Sequence, residues 1–210
     1  MKAEHARRRY DRIAPIYDLL QRPMERTASA WRRKAWAEVR GPRVLEAGVG
    51  TGRNFAFYPR SGELIAVDIS PRMLARARRR AADMGLGVEL REMDVQSLDF
   101  ADNSFDSTVA TFVFCSVPDP VRGMKELGRV VKAGGRILLL EHVRPRGRLL
   151  GWLFDLLSPL TARLFGFKLN RRTVENVHRA GLAVERVEDL DRWGIVKLIV
   201  ARPEREGGKG

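Results

Sequence analysis

The stretch Val44-Leu45-Glu46-Ala47-Gly48-Val49-Gly50-Thr51-Gly52 sets a carboxylate at the end of an apolar run, then a glycine at every second position. Glycine reaches positive φ and carries no Cβ, so such a loop turns tightly and lets a ligand lie close to the backbone. A helical pattern starting at Arg53 would offer free N–H groups to an anionic part of that ligand. Asp68 closes the next apolar run, where a carboxylate can accept hydrogen bonds from both hydroxyls of a ribose. Asp94-Val95 closes a third run. Asp94 could meet an adenine amino group with Val95 on the ring, or it could cap a turn. Thr111-Phe112-Val113 follows a fourth run and falls on the same edge. The loop reads G-x-G-x-G, whereas a dinucleotide pyrophosphate site needs its third glycine one residue later. A plain glycine turn competes with the nucleoside reading, and the position of Asp68 weighs against it.

The elements that must hold these residues are legible. Arg43–Ala47 and Glu63–Val67 read as buried strands, and Arg53–Phe57 as the start of the helix between them. Ser70-Pro71 opens a helix with a serine cap and proline at its first position. Its apolar face is Met73, Leu74, Ala77 and Ala81, and Gly85 and Gly87 end it near Met84. Val88–Met93 and Ser107–Phe112 follow as strands, Pro120–Val131 as a helix closed by Gly134-Gly135, and Arg136–Glu141 as a fifth strand. Apolar strands alternating with helices predict a parallel sheet covered on both faces. After a helix near Arg171–Ala180, Val184–Leu190 and Ile195–Ala201 are joined by only Asp191–Gly194, which predicts an antiparallel pair. The predicted order is five parallel strands and then a hairpin.

With 210 residues the chain fits one domain, set here at 1–203, with a helical lid over 1–40, an apolar lid over 144–172 and a flexible tail at 204–210. One cysteine, Cys115, excludes an internal disulfide framework and suits a reducing compartment. Cys115, His5, His142 and His178 have no ligand spacing, so no protein-bound metal is expected. The start carries no apolar signal segment, and Leu149–Phe167 is interrupted by Asp155, Pro159 and Arg163, so a cytoplasmic protein is expected, peripheral at most. Of 39 basic residues 32 are arginine, and the net charge is +13. That surface draws nucleic acid or anionic membrane, or it reflects arginine-biased composition alone.

At this point the chain resembles the class I methyltransferases. The resemblance rests on Glu46–Gly52, Asp68, Asp94 and Val130-Val131-Lys132-Ala133-Gly134-Gly135-Arg136, and runs from about Tyr10 to Ala201. It implies a Rossmann-like seven-stranded sheet with the last strand antiparallel, and S-adenosylmethionine as cofactor. Carried onto this sequence, it implies contacts from Tyr17, Glu46, Gly48, Gly50, Gly52, Asn54, Asp68, Ile69, Met73, Asp94, Val95, Thr111 and Phe112. The helix after the glycine loop would then face the cofactor's methionine carboxylate.

The opening Tyr10-Asp11-Arg12-Ile13-Ala14-Pro15-Ile16-Tyr17-Asp18 resembles quinone methylases and bacterial phospholipid N-methyltransferases, which implies that it folds over the cofactor. Leu19-Leu20-Gln21-Arg22-Pro23 departs from the quinone pattern, while Phe57-Tyr58-Pro59 and Glu141-His142-Val143 look closer to the phospholipid enzymes. Leu149, Trp152, Leu153, Phe154, Leu156, Leu157, Leu160, Phe165 and Phe167, with Arg144, Arg146, Arg148, Lys168, Arg171 and Arg172 around them, suit an interfacial lid on anionic lipid or a plain core cap. Expected acceptors are a lipid or amphiphile, with the amino headgroup of phosphatidylethanolamine first, or a soluble thiol, phenol or quinone. His142 is the candidate general base, alongside a purely structural role, and Tyr17 is its catalytic partner. Nucleic-acid methylation is disfavoured because Ala110-Thr111-Phe112-Val113-Phe114 stands where an Asn/Asp-Pro-Pro-aromatic run would hold a flipped base. A cofactor-binding regulator without turnover is the remaining alternative.

Overall fold

The computed structural model describes residues 3–145, 147–164 and 168–204, so Arg146, Phe165, Phe167 and the tail after Glu204 lie outside the described residues. Seven strands form one sheet in the order β3-β2-β1-β4-β5-β7-β6. They are β1 (Arg43–Ala47), β2 (Glu63–Asp68), β3 (Glu89–Glu92), β4 (Phe105–Thr111), β5 (Val131–His142), β6 (Leu182–Asp189) and β7 (Val196–Pro203). The first five are parallel, and β7 runs antiparallel between β5 and β6. The five-plus-hairpin expectation holds, with β5 beginning earlier than its aliphatic run.

Helices cover both faces: α1 (Ala3–Trp36), α2 (Pro71–Asp83), α3 (Pro120–Val130), α4 (Arg148–Leu164) and α5 (Thr173–Arg179). Met124, Leu127 and Val130 of α3 and Val177 of α5 join Leu45, Ile65, Ile137 and Leu139 in one core layer. Trp36 of α1 and Leu74, Ala77 and Ala81 of α2 join Val44, Ala66, Val109 and Leu138 in the other. Alternate residues of each strand serve opposite layers, which is why the strands read as continuous apolar runs. The α2 start is built as its sequence demands: Ser70 Oγ accepts from the Met73 amide at 3.1 Å, with Pro71 next.

One element differs. The helix expected from Arg53 is a single 3-10 turn, Phe55–Phe57. Pro59 disfavours helical backbone in the residue before it, and Tyr58 is extended at ψ 143°. The space a helix would fill is taken by the end of α1, whose Trp36 ring lies 4.4 Å from that of Tyr58.

Between β1 and β4 the strand order reverses, and there the carboxyl ends of neighbouring strands diverge into a cleft.

Candidate functional site

The cleft holds about 860 Å³ of empty space when its open mouth is counted. Its floor is the glycine loop. Gly48, Gly50 and Gly52 have φ of +73°, +55° and +79°, a region that side chains rarely adopt. The amides of Gly48 and Val49 both donate to Val67 O, at 2.8 and 3.0 Å, binding the loop to β2. A Cβ on Gly48 would sit 2.4 Å from Val113 Cγ2, so β4's exit passes directly over the bare backbone.

Asp68 ends β2 beside that loop. Its carboxylate accepts from the Gly50 amide at 2.8 Å and the Ser70 amide at 2.9 Å. Burial raises its pKa to about 6, with the Ser70 and Gly50 N–H groups acting against the shift. Two accepted bonds leave lone pairs for a diol. Ile69 and Met73 line the wall next to it. Asp94 and Val95 line the same cleft, and Asp94 also caps its own turn, accepting from the Gln96 amide at 2.9 Å and the Gln96 side chain at 2.8 Å. Asp94 therefore caps a turn and faces the cleft at once.

Opposite stands Phe112, at φ +58°, a strained conformation for a bulky residue. Its amide donates to Leu140 O at 2.7 Å, which fixes the turn off β4. One face of its ring meets the Arg32 guanidinium, 5.3 Å from the centroid, and His142 stacks on it at 4.5 Å and 28°. This placement corrects the expectation for His142. The imidazole is not among the cleft-lining residues, because the turned Phe112 ring covers it. Burial pulls its pKa down to about 4, leaving it neutral and weakly basic.

Glu46, Gly52 and Asn54 also lie outside the lining, one layer down. Glu46 accepts from Tyr58 Oη and Asn54 Nδ2, and burial raises it to about 7. Asn54 Nδ2 also donates to Thr111 Oγ1 at 2.8 Å, while its Oδ1 accepts from Arg32 at 2.9 Å. Arg32 donates in turn to Thr111 Oγ1 at 2.9 Å. The carboxylate thus orders a chain of polar groups that ends at the cleft wall in Thr111 and Arg32.

Arg32 was not foreseen, nor was Tyr10, and both line the cleft from α1. Arg32 is 8% exposed and its Nε has no partner, an orphaned cationic donor beside the glycine loop. A carboxylate would satisfy it. Tyr17 also lines the cleft, its ring 6.5 Å from Tyr10 and edge-on to it. Burial raises both phenols' pKa, so both stay protonated at neutral pH. Cys115 is buried outside the cleft lining, with a thiol pushed well up by burial. His5 and His178 are exposed, and no metal-holding group occurs among the described residues.

A bare glycine loop, the Asp68 carboxylate at the end of β2 and the unpartnered Nε of Arg32 are chemically compatible with S-adenosylmethionine. On this fold they define a methyltransferase that uses that cofactor. Residues 45–139 match the methyltransferase domain family. The chain is 40% identical over 157 residues to a phosphatidylethanolamine N-methyltransferase of Cereibacter sphaeroides, spanning 71% of this chain and 74% of that one. It is 36% identical over 163 residues to a demethylmenaquinone methyltransferase of Deinococcus radiodurans, spanning 74% and 67%. A solved S-adenosylmethionine-dependent methyltransferase from Thermotoga maritima superposes with a TM-score of 0.71 at 22% identity, covering 95% of this chain and all of that one. The chain belongs to the methyltransferase domain family and is an S-adenosylmethionine-dependent enzyme.

Proposed function

We propose that this enzyme methylates a membrane-borne amphiphile, the amino headgroup of phosphatidylethanolamine and its methylated forms, while peripherally attached to an anionic bilayer such as the inner face of the cell membrane. The observation that carries this reading is α4. Leu149, Trp152, Leu153, Leu156, Leu157 and Leu160 are all exposed, Leu149 at 80% and Trp152 at 59%. So dense an apolar face has its natural use in contact with lipid. It adjoins the cleft: Arg9 of α1 donates to Ala162 O and Arg163 O, and after α4 the Lys168 amide donates to Cys115 O while Arg171 reaches Val117 O on the cleft lip. No described helix is long and apolar enough to cross a membrane. The headgroup follows from the Cereibacter relative's activity.

The cofactor supplies an electrophilic methyl group. In this reading Asp68 accepts from its ribose, Asp94 and Val95 flank its adenine, Arg32 meets its carboxylate, and Ile69, Met73, Thr111, Phe112 and Tyr17 enclose it. Displacement at methyl needs a free lone pair held in line, which for an amine means the neutral form, with water kept out. Burial disfavours the charged form of an amine, so entry to the cleft helps deprotonate it. Tyr17 positions the amine through its hydroxyl, and His142 acts by holding Phe112 in place. Incubation with labelled cofactor and phosphatidylethanolamine vesicles, read by mass, tests the assignment. Mono-, di- and trimethylated lipid is the expected product. Methylation of a demethylmenaquinone analogue alone, or of soluble acceptors without vesicles, would overturn it.

A further inference from the structure

The first two-thirds of α1 closes the cleft through Ala6, Tyr10 and Tyr17, yet only Ala6 and Ala14 of that stretch are fully buried. Its last turns are anchored differently, by buried Ala28, Arg32, Ala35 and Trp36 and by Trp31 Nε1 donating to Leu190 O at 3.1 Å. Pro23 lies between the two parts and removes one helical hydrogen bond. The free part is held to the body chiefly by charge. Asp11 accepts from Ser70 Oγ at 2.6 Å, and Asp18 sits in a denser set of donors.

Thr51 Oγ1 donates to Asp18 Oδ1 at 2.7 Å and Arg53 Nε at 3.0 Å, while Arg76 and Arg80 both donate to Oδ2 at 3.0 Å. These donors belong to the glycine loop and α2. Arg80 also donates to Thr51 O at 2.8 Å and Arg53 is paired with Glu25, so Arg80 keeps its place without Asp18. The receptor is therefore on the body and the plug on the lid. One hydroxyl and three guanidiniums converging on one point is the donor set for a tetrahedral oxyanion. Asp18, with two oxygens, leaves Arg76 Nε buried without a partner.

We infer that Thr51, Arg53, Arg76 and Arg80 form a phosphate-class anion site which Asp18 fills in the closed state, so that an external phosphate oxyanion taking that seat releases the first part of α1 and opens the cofactor cleft. The anion is either a lipid headgroup or free phosphate. Ile16, Leu19 and Leu20, exposed on either side of Asp18, favour the headgroup. That source rests on the membrane reading above; the site itself does not.

The test is release of S-adenosylhomocysteine from the full chain, with no acceptor present, so failure to methylate lipid leaves it standing. Inorganic phosphate should accelerate release about fivefold beyond chloride at equal ionic strength. Asp18→Asn should release about fivefold faster without phosphate and respond to it no further. Arg76→Gln, at a half-exposed position, should fold as the parent does and lose the phosphate response, which covers the case of an unfolded Asp18 variant. Phosphatidylglycerol vesicles that accelerate the parent, with phosphatidylcholine inert, identify a headgroup. Phosphate acting while phosphatidylglycerol does not identifies a free oxyanion, with the site upheld. Phosphate no better than chloride in the parent, an Asp18→Asn rate equal to the parent's, or a full phosphate response in Arg76→Gln overturns the inference.

Discussion

The cleft floor and the outer face of α4 treat polarity in opposite ways. At the floor, Glu46, Asn54, Thr111, Arg32 and Asp68 are buried or nearly so, and hydrogen bonds fix each in one orientation. On α4 the large apolar side chains toward solvent are Leu149, Trp152, Leu153, Leu156, Leu157 and Leu160. Hydrogen-bonded polar groups under a cleft select one ligand, because any mismatch leaves a buried donor or acceptor unpaired. An apolar face selects an environment, since burial gain scales with area and hardly with shape. One region bears on the methyl donor, and the other carries the proposal for where the acceptor comes from.

Four experiments would break or sharpen that contrast. The largest effect is expected at the floor: Asp68→Ala should weaken S-adenosylhomocysteine binding about 100-fold by calorimetry, because two hydrogen bonds to a charged group are lost. Arg32→Gln should weaken it about thirtyfold while activity on saturating cofactor falls less; equal binding by the variant would remove the guanidinium from the site. On α4, the pair Trp152→Glu and Leu156→Glu should cut the rate on anionic vesicles about tenfold, with cofactor affinity and melting temperature near the parent's. Loss of cofactor binding in that pair would show that the two regions are one.

The smallest effect is a pair of opposed pH slopes. Burial raises Asp68 to about 6 and Glu46 and Glu141 to about 7 in the folded chain. Between about pH 4 and 7 these three groups hold more protons in the native state than in the unfolded chain, so their contribution to apo stability is greatest at the acid end and is lost as pH rises through 6 to 7, while His142, pulled down to about 4, contributes in the opposite sense. Cofactor affinity should run the other way, falling about fourfold from pH 7.5 to 5.5 as the ribose acceptor Asp68 takes up a proton. Melting curves and titrations over that range read both slopes. Parallel slopes would mean that Asp68 does not meet the ribose as an anion.

The floor was legible because its chemistry requires particular residue types at fixed chain positions. Glycine at 48, 50 and 52 answers to positive φ, and Asp68 answers to the end of β2. Ser70-Pro71 announced α2 by the same kind of necessity. Arg32 and Asp18 gave no signal, since they are ordinary charged residues on a long helix in a chain with 32 arginines, and only the path of α1 brings them to the site. His142 misled for a related reason. A strand-end position suggests a cleft-facing side chain, but the positive φ of Phe112 swings a ring across it. Pro59 does carry a usable signal against a helix after the glycine loop, since it disfavours helical backbone at Tyr58.

The missing helix has its own consequence. A single 3-10 turn has almost no macrodipole to offer an anion at the glycine loop. A cationic group that lines the cleft with an unpartnered nitrogen is Arg32, carried in from α1. Positive charge that a backbone could have supplied is here carried by a side chain of another element, anchored in the last turns of α1. A chimera combining this sheet with a foreign N-terminal helix would keep Asp68 and lose Arg32. Exchange between relatives must therefore carry residues 3–36 and the sheet together, as one heritable unit.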